Sequence, residues 1–322
     1  MKAFLLGLLF LFTAGVLLLA GWIGYEKAKD PLTLVEADVP SAYLIKEEPI
    51  PCEPGRLCRA VTLGLEGFDP IELSLSLPEA LPRGGIPVVI LLGGFDTGKR
   101  SIYEVPKPGA NAVIGYDYPL KKEDWYEASW PRRLLAARKA SRQVPAQVLA
   151  LLRWARAQGW SQDKRVSLLG FSLGALYLPA AHHMARLHHQ PLGPSIIAYG
   201  GAGLEPIFRF AFREQPAWLG DMLTGLAVLG LRELEPAHHL PHLKGEFLLL
   251  NGSDDRLMPM ETIERLRALT PDPKTVVTLP SDHMMPGDRE LMEAIIRISR
   301  QWLLERKAIN ADTPDEAVPP EG

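Results

Sequence analysis

Six short apolar runs, "PVVILL", "NAVIGY", "RVSLLG", "PSIIAYG", "GEFLLLNG" and "KTVVTLP", recur along the chain with helix-length stretches between most of them. Such runs suit strands buried on both faces of a sheet, and no other feature of the sequence restricts the fold as much. The intervening helical stretches are Leu134 to Gln158, with Pro145 expected to kink it, Leu173 to Leu187, Met260 to Ala268 and Arg289 to Glu305. Strands alternating with helices predict an α/β class with a mainly parallel sheet and helices on both faces. Ahead of them, Val61 to Leu65 and Ile71 to Leu77 alternate around a Gly-Phe-Asp-Pro turn and predict an antiparallel hairpin. One interval breaks the rhythm. From Gly203 to Leu234, aromatic and helical sequence is inserted between two strands, expected either as a small lid-like insert that shapes a pocket at the sheet's C-terminal edge or as an elaborated connection.

The chain has 322 residues, 47% of them hydrophobic and 23% charged, enough for one large domain or two small ones. With 35 basic and 38 acidic residues and a net charge of −3, it lacks the basic excess that nucleic-acid binding needs, and no nucleic-acid partner is expected. The N-terminus is less ordinary. Ala3 to Ile23 is 21 residues without a charge, long enough to span a bilayer. Residues 1–24 are therefore expected to be a membrane anchor or signal segment. An uncleaved anchor is favoured, because the apolar run exceeds that of a signal peptide and Leu18 would fall at the −3 position of a cut after Ala20. The rest of the chain is then expected outside the cytoplasm, periplasmic and held by its N-terminal helix, or secreted after cleavage. Residues 25–60, with Pro31, Pro40, Pro49 and Pro51, read as a tether, in which Cys52 and Cys58 either close a small disulfide loop or stay free thiols. Residues 308–322, ending "ADTPDEAVPPEG", read as a disordered tail.

Two motifs carry chemistry. In "VVILLGGFDTGKRS", Val88 to Ser101, the residues Gly93, Gly98 and Lys99 fit the start of a phosphate-binding P-loop. That motif wants Ser or Thr directly after the lysine, and Arg100 stands there. The same glycines after an early strand suit an oxyanion hole, in which backbone N–H groups meet a developing oxyanion. Lys99 and Arg100 would then be solvated charges at the rim. The second motif is Gly170-Phe171-Ser172-Leu173-Gly174, between a strand and a helical stretch, where a sharp turn lifts a serine hydroxyl above the sheet. A serine needs a base, and the base an orienting carboxylate. "NGSDDRLMP" offers Asp254 or Asp255 after one strand, and "PSDHMMPGD" offers His283 after the next.

With these residues, over residues 61–307, the chain resembles the α/β-hydrolase superfamily. "NGSDDRLMP" is similar to that family's G-x-x-D-x-x-V-P acid loop; aligning Gly252 and Pro259 with it implies Asp255 as the acid, with Met258 in place of valine. The resemblance implies an α/β-hydrolase fold and a catalytic triad of Ser172, Asp255 and His283. It also implies an oxyanion hole from the N–H of Leu173 and one from the "GGFD" turn, Phe95 with Gly94 as neighbour. The chain departs from the usual His-Gly-Gly in having Leu92 before Gly93. The expected function is a serine hydrolase that cleaves a carboxylic ester of a small-molecule acyl substrate through an acyl-enzyme on Ser172, with no cofactor and no metal. Acyltransferase or peptidase chemistry on the same triad is an alternative, and a non-catalytic binding or scaffold protein is the rival of another class. The histidines of "AHHMARLHH" and "PAHHLPHL" are expected at the surface or in support rather than as metal ligands, and Asp117 is given no catalytic role.

Overall fold

In the computed structural model, which describes residues 2–94, 97–120, 127, 129–285 and 287–311, the six apolar runs are strands β4 (Ile86–Leu92), β5 (Ala112–Tyr116), β6 (Ser161–Phe171), β7 (Ser195–Ala198), β8 (Phe247–Gly252) and β9 (Lys274–Leu279). They pair in parallel in the order β5-β4-β6-β7-β8-β9. The expected hairpin, β2 (Arg56–Gly64) and β3 (Ile71–Pro78), adds antiparallel strands beyond β5, and β1 (Tyr43–Ile50) closes that end of a nine-stranded sheet. Every residue of β4, β5 and β8 is buried, whereas edge strand β9 alternates between half-buried and exposed positions.

The helices are α1 (Lys2–Ala28), α2 (Thr33–Glu36), α3 (Trp130–Arg156), α4 (Leu173–Leu187), α5 (Leu204–Ala211), α6 (Ala217–Gly230), α7 (Pro236–His239), α8 (Met260–Leu269) and α9 (Arg289–Glu305). The period of two along β4 sorts its side chains between two cores. Val88, Ile90 and Leu92 join Leu151 of α3 and Leu178 of α4, while Val89 and Leu91 join Ile295 and Leu303 of α9. Cover is unequal. Helices α3, α4 and α8 pack on the first face; on the second, α9 is accompanied by a 3-10 turn, Gly98–Glu104, that stands where a crossover helix between parallel strands would run.

Several expectations need correction. The stretch read as a tether is largely ordered, because the free edge of β2 offers a hydrogen-bonding ladder; Pro49, which lacks an N–H, is tolerated there because β1 is an edge strand. Val35 and Val39 of the same stretch are buried in the core. Of the two alternatives for Cys52 and Cys58, the structure takes the expected disulfide, across the turn from β1 to β2. The tail begins later than residue 308: Ala308 and Ile309 are buried, and Asn310 is hydrogen-bonded to Asn111; residues 312–322 lie outside the described residues. Helix α3 runs on through Pro145.

The apolar N-terminus forms helix α1, whose C-terminal end is fastened to the rest of the chain. Glu26 pairs with Arg138, Lys29 with Glu233, and the guanidinium of Arg232 donates to the carbonyls of Glu26, Lys27 and Lys29. Among the described residues no helix is long and apolar enough to cross a membrane. The side chains of Lys2, Ala3, Leu5, Leu8, Leu9 and Phe12 within α1 are not among those described.

Candidate active site

Strand β6 ends at Phe171 and α4 begins at Leu173, so Ser172 alone makes the turn, with φ +53° and ψ −112°. A non-glycine residue at positive φ stores strain that the surroundings must hold. Here the N–H of Ser172 donates to the carbonyl of Ala198 at 2.9 Å, and the flanking glycines let strand and helix close up. A Cβ on Gly170 would stand 2.6 Å from the carbonyl oxygen of Gly174.

The loops after β8 and β9 bring the other two side chains to this turn. Ser172 Oγ lies 2.7 Å from Nε2 of His283, and Nδ1 of His283 lies 2.8 Å from Oδ2 of Asp255. Both Asp255 and His283 are buried. Oδ1 of Asp255 accepts the backbone N–H groups of Leu257 and Met258, each at 2.9 Å, which fixes the carboxylate and leaves Oδ2 to the imidazole. With the proton on Nδ1 and Nδ1–H donating to Asp255 Oδ2, Nε2 presents its lone pair to the serine hydroxyl. Asp254 is placed differently: it is exposed, its carboxylate accepts from Ser253 Oγ, and it does not reach the histidine.

The loop after β4 lies against the serine. A Cβ on Gly94 would stand 3.9 Å from Cβ of Ser172. The carbonyl of Gly93 accepts from the Tyr118 hydroxyl at 2.6 Å, and that of Gly94 from Oγ1 and N of Thr97. Those bonds fix the curl of the turn. Across from it, the N–H of Leu173 belongs to the first turn of α4, whose amides have no partner within the helix. Phe95 lies outside the described residues.

Lys99 is not the solvated rim charge expected. It pairs with Glu72 and, at 3.3 Å, with Asp117; burial opposes its charge, but the two carboxylates outweigh that and raise its pKa above the ordinary value. A lysine so held is poorly placed for a nucleotide phosphate. The histidines also depart from expectation, since His182, His183 and His239 are buried where α4 packs on the 236–242 segment, with Nδ1 of His183 and of His239 3.2 Å apart. Burial lowers the pKa of His183 to about 3 and of His182 and His239 to about 4.

Sequence reasoning passed over residues that support the site. Asp282 accepts the N–H of His283 at 2.7 Å and the N–H of Arg256 at 3.0 Å, and its other oxygen meets the Arg256 guanidinium at 2.8 Å, which ties the histidine loop to the acid loop. The ring of Tyr199 stands edge-on to that of His283, centroids 5.7 Å apart, with its hydroxyl 2.7 Å from Ser281 Oγ. The adjacency of Asp282 to His283 was visible in the sequence, but its partner, Arg256, lies 26 residues away.

A cavity of about 320 Å³ opens at Ser172 and His283. Its described walls include no residue of the 203–234 insert, so the expectation that the insert shapes the pocket is not met. Helices α5 and α6 instead form a small core of their own, around Phe212, Leu223 and Ala227, with Leu134 of α3 against it.

No family model matches the sequence, and no curated protein matches it. Solved structures do. Acetyl xylan esterase 1 from Thermoanaerobacterium sp. JW/SL YS485 aligns with a TM-score of 0.59 and 14% identity, over 85% of this chain and 92% of that one. Acetyl xylan esterase from Paenibacillus sp. R4 aligns with a TM-score of 0.61 and 13% identity, over 86% and 94%. A cold-adapted esterase from an Arctic intertidal metagenomic library gives 0.58 and 16%, over 81% and 97%. At these identities the likeness is one of fold.

Proposed function

We propose that this chain, whose fold is that of the α/β-hydrolase superfamily, is a serine hydrolase that cleaves a carboxylic ester. The observation that carries the reading is the unbroken relay from Ser172 Oγ to His283 Nε2, at 2.7 Å, and from His283 Nδ1 to Asp255 Oδ2, at 2.8 Å. Ser172 Oγ attacks the acyl carbonyl as its proton passes to Nε2 of His283, and Asp255 stabilises the imidazolium without taking the proton. The tetrahedral oxyanion is met by the N–H of Leu173, across from the Gly94 end of the loop after β4. The tetrahedral intermediate collapses, the C–O bond to the alcohol breaks and His283 protonates the leaving oxygen. The acyl group stays on Ser172 until a water, deprotonated by His283, releases the acid. An ester is preferred over an amide because the acetyl xylan esterases and the cold-adapted esterase align over 92% or more of their length, whereas Pyrococcus horikoshii acylaminoacyl peptidase aligns over 52% of its own. Release of p-nitrophenol from p-nitrophenyl esters by the full chain, set against Ser172→Ala, tests the reading: activity is expected in the former and lost by at least about a thousandfold in the latter.

We further read residues 1–24, on their sequence, as a membrane anchor with the catalytic domain outside the cytoplasm. Its support is the 21-residue run without charge, the exposure of Phe4, Phe10 and Leu18, and a disulfide that suits an oxidising compartment. Retention of the full chain in the membrane pellet after alkaline carbonate extraction is expected; release into the supernatant would contradict it.

A further inference from the structure

The cavity at Ser172 does not end at the reacting atoms. It runs down the second face of the sheet, floored by Val89 and Leu91 of β4, Val113 of β5 and Leu169 of β6. Met292, Ile295, Ser299 and Leu303, on one side of α9, roof it. The space exists because the connection from β4 to β5 supplies a 3-10 helix of seven residues where a longer crossover helix would pack over Val89 and Val113. Ser299, buried halfway along the roof, leaves room that a larger side chain would occupy, and its Oγ has no hydrogen-bond partner among the described residues. Toward the far end, Asn111 gives its amide N–H groups to the carbonyls of Pro108 and Asn310 and accepts the N–H of Asn310, so it calls for no ligand. Where the channel nears solvent it is bordered by Glu104 and Arg300.

Two rulers give its length. Gly93 to Val89 along a strand covers about 13 Å at about 3.3 Å per residue. Met292 to Leu303 along a helix covers about 16 Å at about 1.5 Å per residue. With single bonds of about 1.5 Å at about 111°, an extended alkyl chain advances about 1.25 Å per carbon, so the channel takes about ten to thirteen carbons.

We propose that the channel between the β4–β5–β6 face and α9 receives the acyl chain, and that the substrates are esters of linear fatty acids of about decanoyl length. This rests on the serine-hydrolase reading and deepens it. It sets the chain apart from the aligned acetyl esterases, whose named acyl group would leave the channel empty. Each methylene that leaves water for such walls is expected to raise kcat/KM by up to about fourfold.

The test is kcat/KM of the full chain on p-nitrophenyl acetate, butanoate, decanoate and hexadecanoate, with Ser299→Phe and, should that variant fold poorly, Ser299→Leu. Wild type is expected to favour decanoate over acetate by at least about thirtyfold, and Ser299→Phe to cut that ratio by at least about tenfold. A readout free of catalysis is calorimetric binding of decanoate to Ser172→Ala, expected, and weakened at least about tenfold when Ser299→Phe is added. Wild type preferring acetate, or a ratio unmoved by either Ser299 variant, would overturn the proposal. Decanoate binding with no ester hydrolysis would sink the hydrolase reading and leave the channel standing; acetate hydrolysis without decanoate binding would sink the channel alone.

Discussion

Gly174 lies so close under Leu92 that a Cβ there would stand 1.9 Å from the Leu92 carbonyl oxygen. The first turn of α4 can therefore slide beneath β4, and hold Ser172 at its strained φ, only with glycine at this position. The partner is backbone, which cannot swing aside as a side chain would. Gly174→Ala is expected to cost at least about 2 kcal/mol of stability and most of the proposed ester turnover. A urea midpoint equal to that of wild type would contradict this.

The two adjacent acids should separate sharply. Asp255→Asn removes the acceptor that sets the His283 tautomer and is expected to lower kcat by about three to four orders of magnitude. Asp254→Asn, at an exposed carboxylate that accepts from Ser253, should stay within about threefold. Equal losses in ester turnover would refute the assignment.

Asp282 acts through the loop it ties rather than on substrate. Asp282→Ala should lower kcat about tenfold with little change in KM, because a loosened His283 impairs transition-state chemistry more than binding. Asp282→Asn, whose carbonyl can still accept the N–H of His283, should recover part of the loss. A change confined to KM would argue against a positioning role.

His182 sits among apolar side chains, its ring 5.3 Å from that of Phe247, and burial holds its pKa at about 4 against an ordinary 6.5. The unfolded chain binds this proton first as pH falls. Stability from His182 is therefore intact above about pH 6.5, declines between 6.5 and about 4, and falls no further below that. His182→Leu, similar in volume and unable to ionise, should flatten the fall in the urea midpoint between pH 7 and pH 4.5. An unchanged slope would place the acid sensitivity elsewhere.

Much of this was legible in the sequence because its signals are local. A buried parallel strand must be apolar on both faces, and a serine elbow must have small neighbours, so β4 to β8 and Gly170 to Gly174 announce themselves. The residues alone left Asp254 or Asp255 as the acid, and only the resemblance of Gly252 and Pro259 to the α/β-hydrolase acid loop pointed to Asp255; in the structure a Cβ on Gly252 would meet the carbonyl of Ser281 at 2.3 Å. What stayed hidden depends on distant partners. β1 is a strand because β2 has a free edge, and its exposed residues carry little pattern to announce it. Lys99 reads as a surface charge until Glu72 and Asp117 are seen beside it. His183 looks like a solvent-facing residue of a helix until His239 and His242 of the 236–242 segment are seen against its ring. The channel has no motif, since it is a space left by the brevity of the β4–β5 connection.

Hydrolysis by this route requires Ser172 to be an activated nucleophile. Incubating the full chain with a fluorophosphonate and mapping the adduct by peptide mass spectrometry tests it most directly. A single covalent adduct on Ser172, lost in Ser172→Ala and slowed by at least about a hundredfold in His283→Ala, is the predicted result. Folded wild type that takes no label, or a label carried elsewhere and kept in Ser172→Ala, would contradict it.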